Sequence, residues 1–305
     1  FEEADGHVVT HVAGDDSIVA EMELLAIGVA PESHLAKEAG IELGIKGSIV
    51  VNDRMETSAP DVYAVGDAVQ VKHQVTGGDA VISLAGPANK QGRIVADVIC
   101  GLDSRYQGSL GSSVIKVFDL TAASTGLSVK AACAAGIECE SVVLSPGSHA
   151  GYYPGATPMT MKVVFEREAL RLLGAQIVGV DGVDKRIDVL ATAIQAGIRA
   201  DKLKDLDLAY APPYSSAKDP VNMAGFMIEN VGSGILKQWH WEQEPDLPRD
   251  GSVQLLDVRT VGEYGRGHID GFMNIPVDDL RARLGELDVA KPVYVICQSG
   301  LRSYI

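Results

Sequence analysis

A candidate reactive thiol stands near the end of the sequence, in the stretch VICQSGLRS at residues 295–303. Cys297 directly follows a β-rich run, and Gly300 and Arg302 belong to the loop behind it. Such a loop can point backbone N–H groups at the sulfur and lower the pKa of the thiol. The thiolate could then take up a sulfane sulfur as a persulfide and pass it on. The alternative is a buried, inert cysteine.

A second candidate site is the end of a β-run in TSAPDVYAVGDAV, residues 57–69. Gly66 would let a ligand approach the backbone closely, and Asp67 would present a carboxylate at the carboxyl end of a strand. That carboxylate could accept hydrogen bonds from sugar or ribitol hydroxyls. The alternative is that Asp67 only caps the next segment.

Four of the nine tyrosines form a third candidate group, because they stand beside proline and glycine in predicted loops. Tyr152 and Tyr153 belong to SHAGYYPGATPM, and Tyr210 and Tyr214 belong to LAYAPPYSSAKDPVNMAG. A phenol near a sulfur can donate a hydrogen bond or a proton to it. Taken alone, such tyrosines are also typical of packing groups with a satisfied hydroxyl.

Charge and composition exclude several classes of function. Lys and Arg total 26 against 41 Asp and Glu, a net charge of −15 that repels phosphate backbones, so nucleic acid is not an expected partner. No apolar run reaches the roughly 18 residues of a membrane helix, and the first residues do not resemble a signal peptide, so we expect a cytoplasmic protein. The four cysteines have no C-x-x-C or zinc spacing, so no metal is expected, and Cys100, Cys133 and Cys139 are interpreted as small apolar fillers.

Alternating strands and helices must position these groups. Two β-rich runs flank a turn predicted at residues 13–17, and a helix predicted at about 88–99 is closed by Gly101. Hydrophobic spacing predicts an amphipathic helix at 183–198 and a strand around 159–165. Further helices are predicted at 34–39, 261–265 and 278–285, and further strands at 48–51, 62–65, 253–258 and 293–296.

The Gly-Asp run and the downstream segment SLAGPANKQGRIVADVICG, residues 83–101, together resemble the second flavin-contacting segment of the pyridine nucleotide-disulfide oxidoreductases. The resemblance implies an FAD and NAD(P)H enzyme in which Asp67 holds the ribitol and a helix N-terminus stabilises charge on the reduced flavin. The other cofactor-binding residues it implies are Gly66, Ser83, Leu84, Ala85 and Asn89 for the flavin, and Gly28 in LLAIGVAPES near the nicotinamide.

Both tyrosine segments closely resemble the interface domain of the coenzyme A-disulfide reductases, a branch of the same family. The resemblance implies a homodimer in which Tyr152 and Tyr210 reach towards the partner's redox cysteine, with Tyr153 and Tyr214 behind them. Coenzyme A disulfide or persulfide would be the substrate.

Residues 255–280 and the Cys297 loop resemble a rhodanese domain. The resemblance implies catalytic roles for Cys297 and Arg302. Only five positions separate these two residues, so the loop should fit one sulfur atom, whereas a phosphate would be cramped. Asp257, Arg259, Glu263 and His268 are expected to brace the loop rather than to react.

We therefore predict a multidomain α/β and α+β chain, the C-terminal portion of a flavoprotein with two dinucleotide-binding domains. The expected parts are the end of an NAD(P)H domain (1–30), the C-terminal segment of an FAD domain (31–108), a mixed-sheet dimerisation domain (109–232), a linker (233–250) and a partial rhodanese α/β domain (251–305).

The expected function is FAD-dependent reduction of coenzyme A disulfide or persulfide, joined to sulfur transfer. Two alternatives stay open: an NADH oxidase or peroxidase, and a catalytically silent dimerising module that relays sulfur. The sequence has no G-x-G-x-x-G turn, so we expect the dinucleotide turns and the redox cysteine upstream of Phe1. Rhodanese domains continue for several elements after the Cys297 loop, so we expect a fragment cut at both ends.

Overall fold

The computed structural model describes residues 1–12, 14 and 16–305, so the turn predicted at 13–17 lies partly outside the described residues. In these ranges the strands are β1 (Glu2–Ala4), β2 (His7–His11), β3 (Ser17–Ala20), β4 (Val71–Lys72), β5 (Asp79–Ala80), β6 (Ser113–Val117), β7 (Leu120–Gly126), β8 (Cys139–Leu144), β9 (Met159–Glu166), β10 (Leu172–Gly179), β11 (Gln254–Asp257), β12 (Met273–Asn274) and β13 (Val293–Ile296). The α-helices are α1 (His34–Glu38), α2 (Ala85–Ile99), α3 (Val129–Ala134), α4 (Val183–Gln195), α5 (Pro220–Gly232), α6 (Val261–Arg266), α7 (Val277–Leu280) and α8 (Leu301–Tyr304). None of the helices described is long and apolar enough to cross a membrane.

The first hundred residues contain little regular sheet. Strands β1, β2 and β3 form an antiparallel sheet, and β4 pairs with β5. The strands predicted at 48–51 and 62–65 are wrong: Ile49 and Tyr63 make only isolated bridges. Both segments have residues that favour extended backbone. A strand also needs a second strand paired with it over several residues, and the described residues form only isolated bridges to these segments.

Helix α2 begins at Ala85, three residues before the predicted start. Pro87 falls in the first turn, where its missing N–H would have no intrahelical partner, so it starts the helix rather than delaying it. At the other end Gly101 adopts φ +82°, and the N–H groups of Gly101 and Leu102 donate to the carbonyls of Val98 and Asp97. This left-handed glycine cap confirms the predicted stop.

The middle of the chain is a five-stranded antiparallel sheet in the order β6-β7-β10-β9-β8, with α4 and α5 against it. The alternation in Met159–Glu166 forms β9, as predicted. The core between sheet and helices is apolar and fully buried, and its largest members include Phe165, Met161, Ile177, Leu190, Leu203 and Ile228.

Helix α4 ends at Gln195, before the predicted end at residue 198. Gly197 has φ +67°, and the Ile198 N–H donates to the Ala193 carbonyl, which closes the helix. Ile198 still packs against the core from outside the helix. The capping residue Gly197 turns the chain so that Ile198 lies on the same face as the apolar residues of α4. This is why the apolar spacing predicted a helix three residues too long.

The C-terminal part has a parallel three-stranded sheet in the order β12-β11-β13. Its strands match the predicted ones at 253–258 and 293–296 within a residue at each end. The helix predicted at 278–285 is instead the short α7 followed by a 3-10 turn at Leu284–Glu286. Gly285 interrupts the apolar spacing here, and glycine is a poor residue for a helix interior.

The connecting segment, residues 233–250, is held at both of its sides. Trp239 stacks on Phe272, with ring centroids 6.4 Å apart, and its indole N–H donates to the Val295 carbonyl at 3.4 Å. On the other side, Gln238 Nε2 donates to the Ser141 carbonyl at 2.8 Å. The segment therefore packs between the parallel sheet β12-β11-β13 and strand β8.

Candidate active site

Cys297 directly follows β13, where the chain turns into the short helix α8. Gly300 adopts φ +88°, a conformation that suits glycine, and its N–H donates to the Cys297 sulfur at 3.1 Å. Ser303 Oγ lies 3.5 Å from the same sulfur and 2.9 Å from the Gly300 carbonyl oxygen, so its single proton can go to either acceptor and favours the sulfur when that is a thiolate. The half-buried thiol therefore sits in a cradle of donors that the sequence predicted from Gly300.

Hydrogen bonds control the acidity of this thiol. Burial alone would raise the pKa of Cys297, but the Ser303 hydroxyl and three backbone N–H groups of the loop outweigh it, so the pKa lies below that of an ordinary thiol. These donors favour the thiolate because their dipoles point at the charge. A larger fraction of this thiol is therefore present as the nucleophilic thiolate than in an ordinary cysteine at the same pH.

Substitution of Ser303 should weaken this effect. We expect Ser303→Ala to raise the pKa of Cys297, so that alkylation of the thiol requires a more alkaline pH than in the unchanged protein. Iodoacetamide alkylation rates measured across pH, with mass spectrometric assignment to Cys297, give the midpoint. Ser299→Ala is the matched control, because Ser299 contributes its backbone N–H and keeps it. Equal midpoints for Ser303→Ala and the unchanged protein would contradict the assignment.

Arg302 is paired with the carboxylate of Glu263, for which the sequence predicted only a role in supporting the Cys297 loop. Its Nη1 and Nη2 each donate to a different Glu263 oxygen at 2.7 Å, a bidentate pair. Arg302, followed by hydrogen bonds from Thr260, holds the pKa of Glu263 far below its usual range, so this carboxylate stays ionised well into acid pH. The pKa of Arg302 is raised by Glu263 first and by the Cys297 sulfur to a smaller extent.

Three other residues were expected to support the Cys297 loop, and they differ in what they contact: Asp257, Arg259 and His268. Arg259 binds the fully buried Asp257 through Nε and Nη2, at 2.7–3.1 Å, and also donates to the Gly267 carbonyl. His268 instead stacks on Tyr264 with ring centroids 3.9 Å apart. Its contacts in the described structure do not reach the Cys297 loop. Thr260 and Glu263 form a capping box on α6, and this T-x-x-E signal could have located Glu263 from the sequence.

The thiol loop faces strand β8 of the antiparallel sheet. A Cβ on Gly300 would lie 3.8 Å from the Val143 carbonyl oxygen. Asn230 Nδ2, near the end of α5, donates to the Tyr304 hydroxyl at 2.6 Å. His240 lies 2.9 Å from Glu140, at the start of the same strand. Strand β8 and helix α5 therefore lie beside the loop that carries Cys297.

The structure brings Tyr152 and Tyr210 together from segments 58 positions apart, with their hydroxyl oxygens 2.9 Å from each other. Both side chains are exposed, as are Tyr153 and Tyr214. The hydrogen bond with Tyr152 is the main cause that raises the pKa of Tyr210 above that of an ordinary phenol, which is itself protonated at physiological pH. The pair can therefore donate a proton to a group that approaches from solvent.

Gly66 and Asp67 form a 3-10 turn packed against helix α2, and Asp67 is exposed. Gly66 has φ +86°, and its N–H donates to the Oε1 atom of the buried Gln91 at 2.6 Å. Sequence reasoning missed Gln91, although a polar residue on the inner face of a predicted helix is a usable signal. The Gln91 bond fixes the turn that carries Asp67 relative to the helix N-terminus.

The other flavin candidates surround that N-terminus. Ser83 Oγ reaches the Asp67 carbonyl at 3.5 Å, and Leu84 is the N-cap residue, which has no side-chain cap. Ala85 is exposed at the first helical position, and Asn89 Nδ2 donates back to the Ala85 carbonyl at 2.9 Å. Gly28 lies apart from this group in the chain, exposed and with φ +114°.

The interpretation of the remaining cysteines as buried fillers is wrong for two of them. Cys100 and Cys133 are exposed, and Cys139 is partly buried. Burial, followed by the neighbouring Cys133, raises the pKa of Cys139. Both exposed cysteines lie near helix ends, where the apolar character of the neighbouring residues does not imply burial. Among the described residues there is no cluster of three or more His, Cys, Asp or Glu side chains that could hold a metal.

The fold and site together define a multidomain α/β chain with a hydrogen-bonded thiol at the end of a parallel strand. The family model for pyridine nucleotide-disulphide oxidoreductase matches residues 1–92, the model for the dimerisation domain of that family matches 112–220, and the rhodanese-like domain matches 243–305. The chain belongs to the pyridine nucleotide-disulphide oxidoreductase family and carries a rhodanese-like domain. The predicted family and fold class are confirmed.

Curated relatives match about three quarters of the chain or somewhat less. Coenzyme A disulfide reductase of Staphylococcus epidermidis is 36% identical over 228 residues, which are 74% of this chain and 51% of the relative. Coenzyme A disulfide reductase of Staphylococcus aureus is 38% identical over 207 residues, 68% of this chain and 47% of the relative. The chain thus spans about half the length of these relatives.

Solved structures extend the likeness to nearly the whole chain. Reduced Bacillus anthracis CoADR-RHD has a TM-score of 0.92 and 49% identity, covering 97% of this chain and 53% of that one. The NAD-dependent persulfide reductase from A. fulgidus has a TM-score of 0.84 and 38% identity, covering 95% and 52%. A water-forming NADH oxidase from Lactobacillus brevis has a TM-score of 0.69 and 26% identity, covering 76% and 54%.

Proposed function

We propose that the full-length protein is an FAD-dependent NAD(P)H oxidoreductase that reduces coenzyme A disulfide or coenzyme A persulfide and carries a sulfurtransferase. One observation carries the proposal: a single chain holds both the paired Tyr152 and Tyr210 hydroxyls and the hydrogen-bonded Cys297 thiol. The first can protonate a sulfur leaving group, and the second can carry a sulfane sulfur. The names of the relatives and structural neighbours support the same chemistry.

The residues around α2 fit a flavin. Asp67 is exposed, and no ion pair to it occurs among the described contacts, so its carboxylate is available to ribitol hydroxyls. The uncapped N-terminus of α2, at Ala85 and Gly86, offers N–H groups that favour negative charge. FAD, when bound, supplies hydride and electron transfer between nicotinamide and thiol groups. Gly28 is proposed to let the chain approach the nicotinamide of NAD(P)H.

The tyrosine pair acts on sulfur in this proposal. A phenol is protonated at physiological pH, and the hydrogen bond with Tyr152 raises the pKa of Tyr210 further. Tyr210 can therefore donate its proton to a coenzyme A thiolate as that group leaves a mixed disulfide. The cysteine on the other side of that disulfide belongs to the partner subunit of a homodimer. The match of residues 112–220 to a dimerisation domain supports this assembly. A cytoplasmic location remains part of the proposal.

Cys297 moves the sulfane sulfur. Its thiolate attacks the outer sulfur of a persulfide R–S–SH, and the S–S bond of that persulfide breaks. Cys297–S–SH is formed on the protein, and the thiolate RS⁻ leaves. The Gly300 N–H and the Ser303 hydroxyl stabilise the attacking thiolate. Arg302, bound to Glu263, holds the loop against α6 rather than supplying a free cation to a substrate.

The decisive experiment uses the full-length enzyme under anaerobic conditions. NADH oxidation and sulfide release are followed with coenzyme A persulfide, and NADH oxidation is followed with coenzyme A disulfide, peroxide and, in an aerobic arm, oxygen. We expect fast turnover with the sulfur substrates. Turnover restricted to oxygen or peroxide would favour an oxidase, and thiosulfate–cyanide sulfur transfer without bound flavin would favour a silent relay module.

Flavin retention tests the role of Asp67. We expect Asp67→Asn to weaken FAD binding about tenfold or more, because charge-assisted hydrogen bonds to ribitol are replaced by neutral ones. The full-length protein is diluted in a series and each dilution is dialysed. The flavin that stays on the protein is then measured by visible absorption. Asp61→Asn is the control, since Asp61 is an exposed carboxylate of the same segment and asparagine tolerates its φ of +61°. Equal flavin content in both variants would contradict the role of Asp67.

A further inference from the structure

One arginine is buried beneath both tyrosine segments. Arg186 lies on α4 with 1% of its side chain exposed, and its Nη2 donates to the Ser148 carbonyl at 2.9 Å. The same atom lies 3.2 Å from Ser215 Oγ and 3.0 Å from Asp219 Oδ2. Arg186 therefore joins two chain segments that have no covalent connection near the site.

These two segments are the ones that carry the paired phenols. Tyr152 is four positions after Ser148, and Tyr210 is five positions before Ser215. A single backbone bond, from the Ala150 N–H to the Ser215 carbonyl at 2.9 Å, also links them. The guanidinium thus lies beneath the two chain segments that bear Tyr152 and Tyr210.

The surroundings of Arg186 are specialised for this contact. Its Nη1 donates to the Gly182 carbonyl at 3.1 Å, and a Cβ on Gly182 would collide with Nη1. Gly182 also has φ +71°, so glycine is required there on two grounds. Arg186 Nε is buried without a hydrogen-bond partner in the described structure. A buried charge with an unsatisfied N–H is costly, which points to a role beyond filling the core.

Asp219 balances the buried charge and connects it to α5. Its Oδ2 accepts from Arg186 and from Ser215 Oγ, the latter at 2.6 Å, while Oδ1 accepts from the Val221 N–H at 3.0 Å. Asp219 is the N-cap of α5 in a capping box with Asn222. The Tyr210 segment is therefore fixed to two helices through one carboxylate.

The phenols themselves are anchored only to each other. Both rings are exposed, and the hydroxyl of each has the other as its hydrogen-bond partner among the contacts described. Their separation must therefore be set by what holds the two turns together at the base. The cross-links at that base are the Arg186 cluster and the bond between Ala150 and Ser215.

We propose that Arg186 is a positioning residue for the tyrosine pair: by tying the Ser148 turn to Ser215 and Asp219, it sets the distance between the two phenols that protonate the departing thiolate. The inference rests on the proposed function for its chemical consequence. The positioning itself is a property of the fold and can be tested without activity.

The kinetic test compares two neighbouring cations in the full-length enzyme. Arg186→Met should lower kcat for coenzyme A disulfide about 10- to 100-fold, because misplaced catalytic groups lose that much, with KM changed by less than about threefold. Lys185→Met, the matched control, removes the same charge 3.9 Å from Asp219 and should leave kcat unchanged. Arg186→Lys keeps the charge without the planar fork and should also lose activity. Combined with Tyr152→Phe, the Arg186→Met loss should be less than additive.

The second test does not depend on activity. Photo-oxidation with a ruthenium tris-bipyridyl dye and persulfate couples neighbouring tyrosines, and dityrosine fluorescence reports how close they are. The unchanged protein and Lys185→Met should form an intrachain Tyr152–Tyr210 product, identified by peptide mass. Arg186→Met and Arg186→Lys should fall to the level of Tyr152→Phe. Ser215→Ala, which removes only one hydroxyl of the cluster, should reduce the yield in the same direction.

The outcomes are distinct. Full dityrosine yield in the folded Arg186→Lys and Ser215→Ala variants, or kinetic losses that add fully to that of Tyr152→Phe, would overturn the positioning role. These two variants decide the matter if Arg186→Met does not fold. An unchanged enzyme that fails to reduce coenzyme A disulfide but forms dityrosine in an Arg186-dependent manner would refute the proposed function and leave the positioning role supported.

Discussion

Replacing Cys297 with serine should lower sulfur transfer by the full-length protein at least about 10³-fold, the scale on which losing a nucleophile acts. A hydroxyl at that position cannot form a persulfide, although the Gly300 N–H and the Ser303 hydroxyl that hold the sulfur would remain. Cyanide-reactive sulfane sulfur bound to the protein after exposure to a persulfide donor gives the measurement. Reduction of coenzyme A disulfide should persist, since the tyrosine pair lies on another domain.

The controls are the exposed cysteines. Cys100→Ser and Cys133→Ser remove thiols of similar or greater accessibility that have no cradle of donors at the end of a strand, so sulfur transfer should be retained. Persulfide formation that survives Cys297→Ser and disappears in Cys133→Ser would instead place the sulfur site on helix α3.

The double substitution Tyr152→Phe with Tyr210→Phe should lower kcat for coenzyme A disulfide about 10²- to 10⁴-fold, the range that general acid catalysis contributes. Each ring keeps its shape and loses only the hydroxyl, so binding should change little. In the unchanged enzyme, activity should decline as pH rises past the raised pKa of Tyr210, because the deprotonated phenol can no longer donate. Stopped-flow measurement of thiol release across pH would detect both effects.

Tyr153→Phe is the appropriate comparison. Its ring packs edge to face on His149, with centroids 5.7 Å apart, and its hydroxyl is not part of the pair. Loss of the pair without any change in kcat would mean that solvent protonates the leaving sulfur. The tyrosines would then be surface residues without a catalytic role.

The sequence predicted those parts of the molecule that depend on local chemistry. The strand before Cys297 was recognisable from its β-branched run, and the glycine in the loop indicated that an N–H group would face the sulfur. Helix α2 was found from its spacing and its terminal glycine, with the start displaced only because Pro87 opens the helix.

Contacts between distant segments were less accessible. The pairing of Arg302 with Glu263 joins residues 39 positions apart, and sequence spacing gives no measure of such a distance. Arg186 did leave a signal: it falls on the same helical face as Val183, Ile187 and Leu190, where a charge is out of place. A charged residue inside an apolar stripe indicates a buried partner, but the identity of Asp219 required the fold.

Strand β8 is an edge strand of its sheet, and Gln238 of the connecting segment occupies one of the carbonyl groups along that edge. The same backbone that would otherwise invite aggregation lies beside Gly300 instead. Protection of the edge and shelter of the sulfur atom are therefore one arrangement. We expect a substitution at Glu140 or Val143 to change both the solubility of the protein and sulfur transfer by Cys297, although both residues are far from Cys297 in the sequence.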